Sequence, residues 1–174
     1  ALASVAPLPI ESVPLADARG LFLAAPLVSR RAVPGVDNSA MDGYALRSAD
    51  SQGARRESPV RLKVVQTVAA GEAPPAPLGP GEAARIFTGA PIPAGADAVI
   101  RQEATRREGT WVDLFIAAKP GDNVRYRGEE IGEGQRLLEA GRRLGAWELG
   151  VAATIGCASL PVRPRPRVAV ITCG

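Results

Sequence analysis

Residues 34–45 read PGVDNSAMDGYA, twelve positions that hold two aspartates, an asparagine, a serine and two glycines. Crowding of that kind is poor core material. The segment therefore reads as an ordered loop at the edge of a scaffold, between a β-like run ending near Val33 and a polar stretch opening at Arg47. Loops held by a rigid scaffold are where binding and catalytic residues concentrate. Pro34-Gly35 is a turn dipeptide, Asp37 and Asn38 can bond to nearby backbone amides, and Asp42-Gly43 repeats the device. A loop stiffened this way can hold the carboxylates of Asp37 and Asp42 ready for a cation or for proton transfer. The same residues also suit a pair of Asx-turns that only link strands, and spacing alone slightly favours that reading.

Outward from this loop the pattern is mostly β. Val13 to Arg19 suggests a short helix and Leu21 to Val28 a strand. Val60, Leu62 and Val64 alternate with Arg61 and Lys63, the signature of a half-buried strand. Residues 70–80, with four prolines, form a surface loop. Ala83 to Thr88 and Ala98 to Glu103 read as further strands, and Arg107-Glu108-Gly109 as a hairpin tip before the alternating Val112, Leu114 and Ile116. Leu144, Trp147, Val151 and Ile155 recur at helical spacing, with Gly156 as a stop. The expected class is mainly β with a few helices (α+β).

Two Pro-Gly turns, Pro34-Gly35 and Pro120-Gly121, bracket the strand-rich stretch and suggest an insertion. The expected division is a β-rich inserted domain over 34–121 and a discontinuous mixed α/β domain over 1–33 and 122–166. Residues 168–172, VAVIT, form an apolar run without alternation, as in a strand buried on both faces, and Cys173-Gly174 would turn out of it. Residues 167–174 thus read as the first strand of a further α/β domain, and residues 1–6 as the last turn of a helix stopped by Pro7.

Composition narrows the chemistry. The 174 residues are 46% hydrophobic with only seven aromatics, so the core is aliphatic and alanine-rich, and the chain is not a disordered polymer. The formal charge is +3; Lys63 and Lys119 are the lysines and 19 arginines supply the remaining positive charge. The arginines are interspersed with acids rather than gathered in a stripe with aromatics, which argues against nucleic acid, whereas small oxyanions suit arginine forks. With no histidine and only Cys157 and Cys173, histidine-ligated zinc, a Ser-His-Asp triad and a disulfide framework are excluded or made improbable. No apolar run reaches the length of a membrane span, so no membrane partner is expected and the cytoplasm is the default location.

Three further stretches carry possible chemistry. In FTGAP, residues 87–91, Thr88 and Gly89 at a strand end can offer O–H and N–H donors to an oxyanion, though the residues by themselves favour a rigid proline turn. In NVRYRGEE, residues 123–130, Arg125 and Arg127 share one face of a strand and suit an anion, while Glu129 or Glu130 could hold a cation; a surface ion-pair ladder is the alternative. Arg163, Arg165 and Arg167 alternate with prolines as in an extended, solvated linker.

The strings VPGVDNSAMDGYALR, IFTGAPIPAGADAVIRQE, NVRYRGEEI and VAVITCG, in this order and spacing, resemble the N-terminal region of the molybdopterin molybdenumtransferases, the MoeA and gephyrin E-domain family. The resemblance implies an enzyme that inserts molybdate into adenylylated molybdopterin and releases AMP, assisted by a divalent cation, Mg2+. It implies a homodimer built through the discontinuous domain; in an alanine-rich chain with few large apolar groups, Leu144, Trp147 and Val151 are the expected interface. It further implies a cleft shared with the pterin-binding α/β domain of the other subunit, and a molybdopterin-adenylating protein or domain as partner. Carried over, the MDGYA acid is Asp42, the TGAP hydroxyl is Thr88, and the acid after Gly-Glu is Glu130, where many relatives have aspartate; these are the expected catalytic residues. Asp42 is also the expected metal contact, and Ser39, Gly89, Arg125 and Arg127 the expected substrate-binding residues. On this reading the chain supplies half of a site and is inactive alone. A non-catalytic dimerisation and docking scaffold of gephyrin type is the alternative.

Overall fold

The computed structural model describes residues 6–172. In chain order its strands are β1 (Glu11–Pro14), β2 (Phe22–Leu23), β3 (Leu27–Val28), β4 (Asn38–Ser39), β5 (Gly43–Leu46), β6 (Val60–Val68) and β7 (Glu82–Ile86). They continue with β8 (Ala98–Arg101), β9 (Thr105–Glu108), β10 (Trp111–Leu114), β11 (Val124–Arg125), β12 (Arg136–Leu138) and β13 (Ser159–Arg163). A single α-helix occurs among the described residues, α1 (Ala146–Thr154). The architecture is mainly β, as expected, and no described helix is long and apolar enough to cross a membrane.

The chain divides into a discontinuous unit, Ala1–Val33 with Ile131–Gly174, and an inserted unit, Pro34–Glu130. The insertion ends after Glu130 rather than at the Pro120-Gly121 turn. Backbone pairing explains the difference: β11 lies antiparallel to β4, and the Ala40 N–H donates to the Asn123 carbonyl, so residues 122–130 are tied to the start of the insertion.

In the discontinuous unit β13 is the middle of an antiparallel sheet of order β1-β13-β2, and β12 pairs with β3. Ala18, Leu23, Leu27, Leu144, Ala152, Ile155, Leu160 and Val162 form its core. The helix expected over Val13 to Arg19 is instead the strand β1 followed by a 3-10 turn at Leu15–Asp17, because Val13 is drawn into register opposite Leu160. The strand expected from Leu21 to Val28 is interrupted at Pro26, which has no N–H to give a ladder. α1 matches the expected helix, with Leu144 and Ile155 buried at its flanks, but Trp147 is 77% exposed and stands off the core. Arg163 closes β13 and donates to the Leu8 carbonyl, so the extended linker begins only after it. Val168, Val170 and Ile171 lie in no strand and are exposed, since no described strand offers them a ladder. The Cys173-Gly174 turn, and the helical turn over residues 1–6 apart from Ala6 itself, lie outside the described residues.

The inserted unit is a six-stranded sheet of order β8-β5-β7-β6-β10-β9, antiparallel except for β6 and β7. β6 alternates as its sequence suggests, with Leu62 and Val64 inward and Arg61 and Lys63 outward. One face carries Tyr44, Leu46, Leu62, Ile100, Val112 and Leu114; the other carries Ala45, Val68, Leu78, Ala84, Ile86 and Val99. β5 is therefore buried on both faces. That corrects the reading of residues 43–45 as loop: GYA is an interior strand, and Gly43 is required because a Cβ there would overlap the Ile100 carbonyl of β8.

Asp113 is the one charged residue among the buried groups of this sheet. It sits on β10 between β6 and β9, where Arg61 Nε donates to its Oδ1 at 2.6 Å and Arg106 Nη2 to its Oδ2 at 3.0 Å. The two guanidiniums hold its carboxyl at about 2, below the ordinary 3.8.

Candidate functional site

Residues 37–42 cross the end of the sheet between β4 and β5, and each turn-former has a distinct partner. Asp37 Oδ1 accepts from the Arg127 N–H at 2.7 Å, and its carbonyl accepts from the Ile92 N–H at 3.0 Å. Asn38 pairs across to Arg125 and bridges to Pro91, and its buried Oδ1 has no hydrogen-bond partner among the described residues. The Ser39 hydroxyl donates to the Met41 carbonyl at 2.6 Å, closing a tight turn, and Ser39 is fully buried. The chain emerges from that turn at Met41 and Asp42, both exposed, before re-entering the sheet at Gly43.

Asp42 is received by the loop after β7. Its Oδ1 accepts from the backbone N–H of Thr88 and from the Thr88 hydroxyl, both at 2.8 Å. These two bonds, the backbone one first, together with the charge of Arg85, hold its carboxyl below the usual carboxylate range. Asp42 is thus ionised at neutral pH, with Oδ2 clear of any hydrogen bond among the described residues. The Thr88 loop is itself fixed by Gly89, whose N–H donates to the Ser39 carbonyl at 2.8 Å and whose φ of +83° is a conformation natural to glycine.

Behind Asp42 stands Arg85, which the sequence reading missed. Its guanidinium lies over the Tyr44 ring at 5.2 Å and the Phe87 ring at 5.0 Å. At its edge Nη1 donates to the Gly43 carbonyl at 3.2 Å and Nη2 to Gln102 Oε1 at 2.6 Å. The Gln102 N–H in turn donates to the Asp42 carbonyl at 3.0 Å. A lone arginine inside the apolar run AARIF was the signal that could have found it.

The structure therefore brings Asp42, Thr88 and Gly89 together directly, with Ser39 as the buried residue that shapes the turn and not as a surface donor. Thr88 directs both its donors at Asp42, so it positions the acid. Arg125 is exposed on β11, opposite Asn38, and Arg127 follows in the turn held by Asp37. Glu130 is exposed at the end of the inserted unit, and no hydrogen bond or ion pair joins it to Asp42 or Thr88.

No group of three His, Cys, Asp or Glu side chains that could hold a metal occurs among the described residues. Asp42 Oδ2 is the exposed carboxylate oxygen of this turn that could contact a divalent cation, with water and substrate oxygens needed to complete its shell. Mg2+ binds in that manner, through one or two carboxylates plus phosphates.

Residues 1–156 match the family described as the MoeA N-terminal region (domain I and II). Over 163 residues the chain is 44% identical to molybdopterin molybdenumtransferase 2 of Mycobacterium tuberculosis, covering 94% of this chain and 40% of that protein. It is 39% identical over 168 residues to the molybdopterin molybdenumtransferase of Bacillus subtilis, covering 94% and 39%. A crystal structure of the molybdopterin biosynthesis MoeA protein of Pyrococcus horikosii superposes with a TM-score of 0.88 at 38% identity, over 95% of this chain and 42% of that one. The chain spans about 40% of the length of the curated relatives it matches.

Proposed function

The chain belongs to the family of the MoeA N-terminal region, and on that premise we propose that it is the N-terminal part of a molybdenum cofactor biosynthesis enzyme, a molybdopterin molybdenumtransferase. The reaction inserts molybdate into adenylylated molybdopterin and releases AMP. The observation that carries this reading is the ionised, exposed Asp42, held by two Thr88 donors at the tip of a rigid turn. A carboxylate fixed through one oxygen leaves the other to act without reorganising when the substrate arrives.

In this scheme Thr88 fixes Oδ1 and leaves Oδ2 to orient the oxygen that attacks the pyrophosphate-like bond of the substrate. Asp42 Oδ2 is also the group of this chain that would hold a divalent cation such as Mg2+, through a bound water, and such a cation would supply charge neutralisation at the phosphate and molybdate oxygens. Gly89 contributes its turn, and Arg125 and Arg127 supply positive charge toward anionic substrate at the other end of the β4–β11 pair. Glu130 is a peripheral member of the site, one methylene longer than the aspartate common in relatives.

The cleft is completed by the α/β domain of a partner subunit, so these 174 residues alone do not turn over. Exposed Phe22 and Trp147 on the discontinuous unit support a homodimer. The protein that adenylylates molybdopterin is the expected upstream partner, and the cytoplasm the expected location.

The test is Asp42→Asn in a version carrying all domains of the family. Molybdate-dependent AMP release is expected to be lost while circular dichroism and the melting temperature are kept. Unchanged turnover removes Asp42 from the chemistry, and no AMP release from the parent protein removes the transferase reading altogether.

A further inference from the structure

An open cavity of about 440 Å3 lies in the inserted unit beside the Asp42 site, lined by Tyr44, Arg85, Gln102, Glu103, Thr105 and Arg107. Strand register explains why these residues converge. Arg85 is the cross-strand partner of Tyr44, Thr105 of Leu114 and Arg107 of Val112. Directly opposed residues on neighbouring strands project to the same face. Tyr44, Arg85, Thr105 and Arg107 therefore issue from the face that covers the Leu46, Leu62 and Ile100 core, and the 3-10 turn Gln102–Ala104, which supplies Gln102 and Glu103, links the two edge strands β8 and β9.

The two guanidiniums of this cavity differ from their neighbours. Arg61 and Arg106 are paired with Asp113, whereas Arg85 and Arg107 make no ion pair among the described residues. Arg85 is nonetheless held, between two aromatic rings and by the Gly43 and Gln102 oxygens, with Nε and further N–H groups uncommitted. Arg107 Nε donates to the Gly109 carbonyl at 3.1 Å, which leaves both of its Nη groups. A pre-fixed guanidinium loses little freedom when it binds. The Glu103 carboxylate also lines the cavity and accepts from Gln102 Nε2 at 3.4 Å. Two positive charges against one negative leave a net positive lining.

We propose that this cavity is a binding site for a tetrahedral oxyanion, free or as the terminal phosphate of a larger molecule, gripped between the Arg85 and Arg107 guanidiniums. Arginine forks match the oxygens of such dianions in pairs, and Glu103 limits the affinity. The site is separate from the proposed chemistry at Asp42, and it is read by equilibrium binding, so its failure and that of the transferase reading are distinguishable.

The experiment titrates the 174-residue chain with sulfate and, in parallel, with phenyl phosphate at low ionic strength, following the arginine Nε–Hε signals by NMR. Saturable shifts in the Arg85 and Arg107 signals are expected. Arg107→Gln, at an exposed side chain, is expected to weaken binding about tenfold, the scale of one charge-assisted hydrogen bond. Arg85→Lys keeps the charge but loses the fork, and is expected to weaken it similarly. Glu103→Gln is expected to tighten it. Tighter binding of phenyl phosphate than of sulfate assigns the site to the phosphate end of a larger ligand, and equal binding to the free anion. Absence of saturation, wild-type affinity in both arginine variants, or weaker binding in Glu103→Gln overturns the proposal.

Discussion

Replacing Asp113 by asparagine tests the electrostatic account of the inserted unit. The carboxylate is 2% exposed and meets Arg61 and Arg106 at 2.6 and 3.0 Å. Its carboxyl lies at about 2 against an ordinary 3.8, and at 1.36 kcal/mol per pH unit that difference caps the titratable stabilisation at about 2.4 kcal/mol. Both guanidiniums are half exposed, at 48 and 59%, so solvent screens the pair and the expected loss at pH 7 is about 1–2 kcal/mol. With a urea slope of about 2 kcal/mol/M, the midpoint falls by roughly 0.5–1 M. Urea is uncharged and leaves the pair intact. Trp111, on the same strand, reports the transition once the exposed Trp147 is replaced by Phe. The sign with pH follows from the depressed folded value: the contribution is complete above the ordinary carboxylate range and is lost as pH falls through 3.8 toward 2. The gap between wild type and Asp113→Asn should therefore close between about pH 5 and pH 2. A gap equally wide at pH 7 and pH 2.5, or none at pH 7, refutes the reasoning.

Thr88→Val removes the hydroxyl donor but keeps the backbone one. The Asp42 carboxyl, followed by carbon NMR, is expected to titrate higher than in wild type yet still below an ordinary aspartate; an unmoved titration would show that the hydroxyl contributes nothing. The tie between the two loops persists at neutral pH and is lost only as the solution is acidified through that lowered value. Gly43→Ala drives a Cβ into the Ile100 carbonyl and is expected to cost about 3 kcal/mol, read as a fall in melting temperature of more than about 10 °C; a melting temperature within 2–3 °C of wild type, on the same scale, would mean that β5 and β8 can separate freely.

Local pattern made part of this fold legible. β6 announced itself through Val60, Leu62 and Val64 because one of its faces is wetter than the other, and the β9–β10 hairpin did so through Gly109. β5 was hidden, because a short strand buried on both faces has no alternation and this one opens on Asp42-Gly43, which reads as a turn. Strand order could not be read at all: β5 lies between β7 and β8, neither adjacent to it in sequence. The resemblance singled out Asp42 and Thr88, and the structure adds that they bond to each other. It could not foresee that the Ser39 hydroxyl faces inward, or that Arg85 braces Gly43 from behind, since both depend on partners fixed by the sheet.

The bond from the Arg127 N–H to Asp37 spans 90 residues, and the bonds from Thr88 to Asp42 span 46. As the ribosome delivers this chain from its N-terminus, the acidic turn is synthesised first and waits for both of its clasps. Asp42 can be set only after Thr88 has emerged, and Asp37 only when the insertion is nearly finished. A chain halted before residue 121 should accordingly leave the Asp37 carboxylate without its Arg127 partner. The Asp37 clasp is thus the late one, made only when almost all of the inserted unit, Pro34–Glu130, has been synthesised.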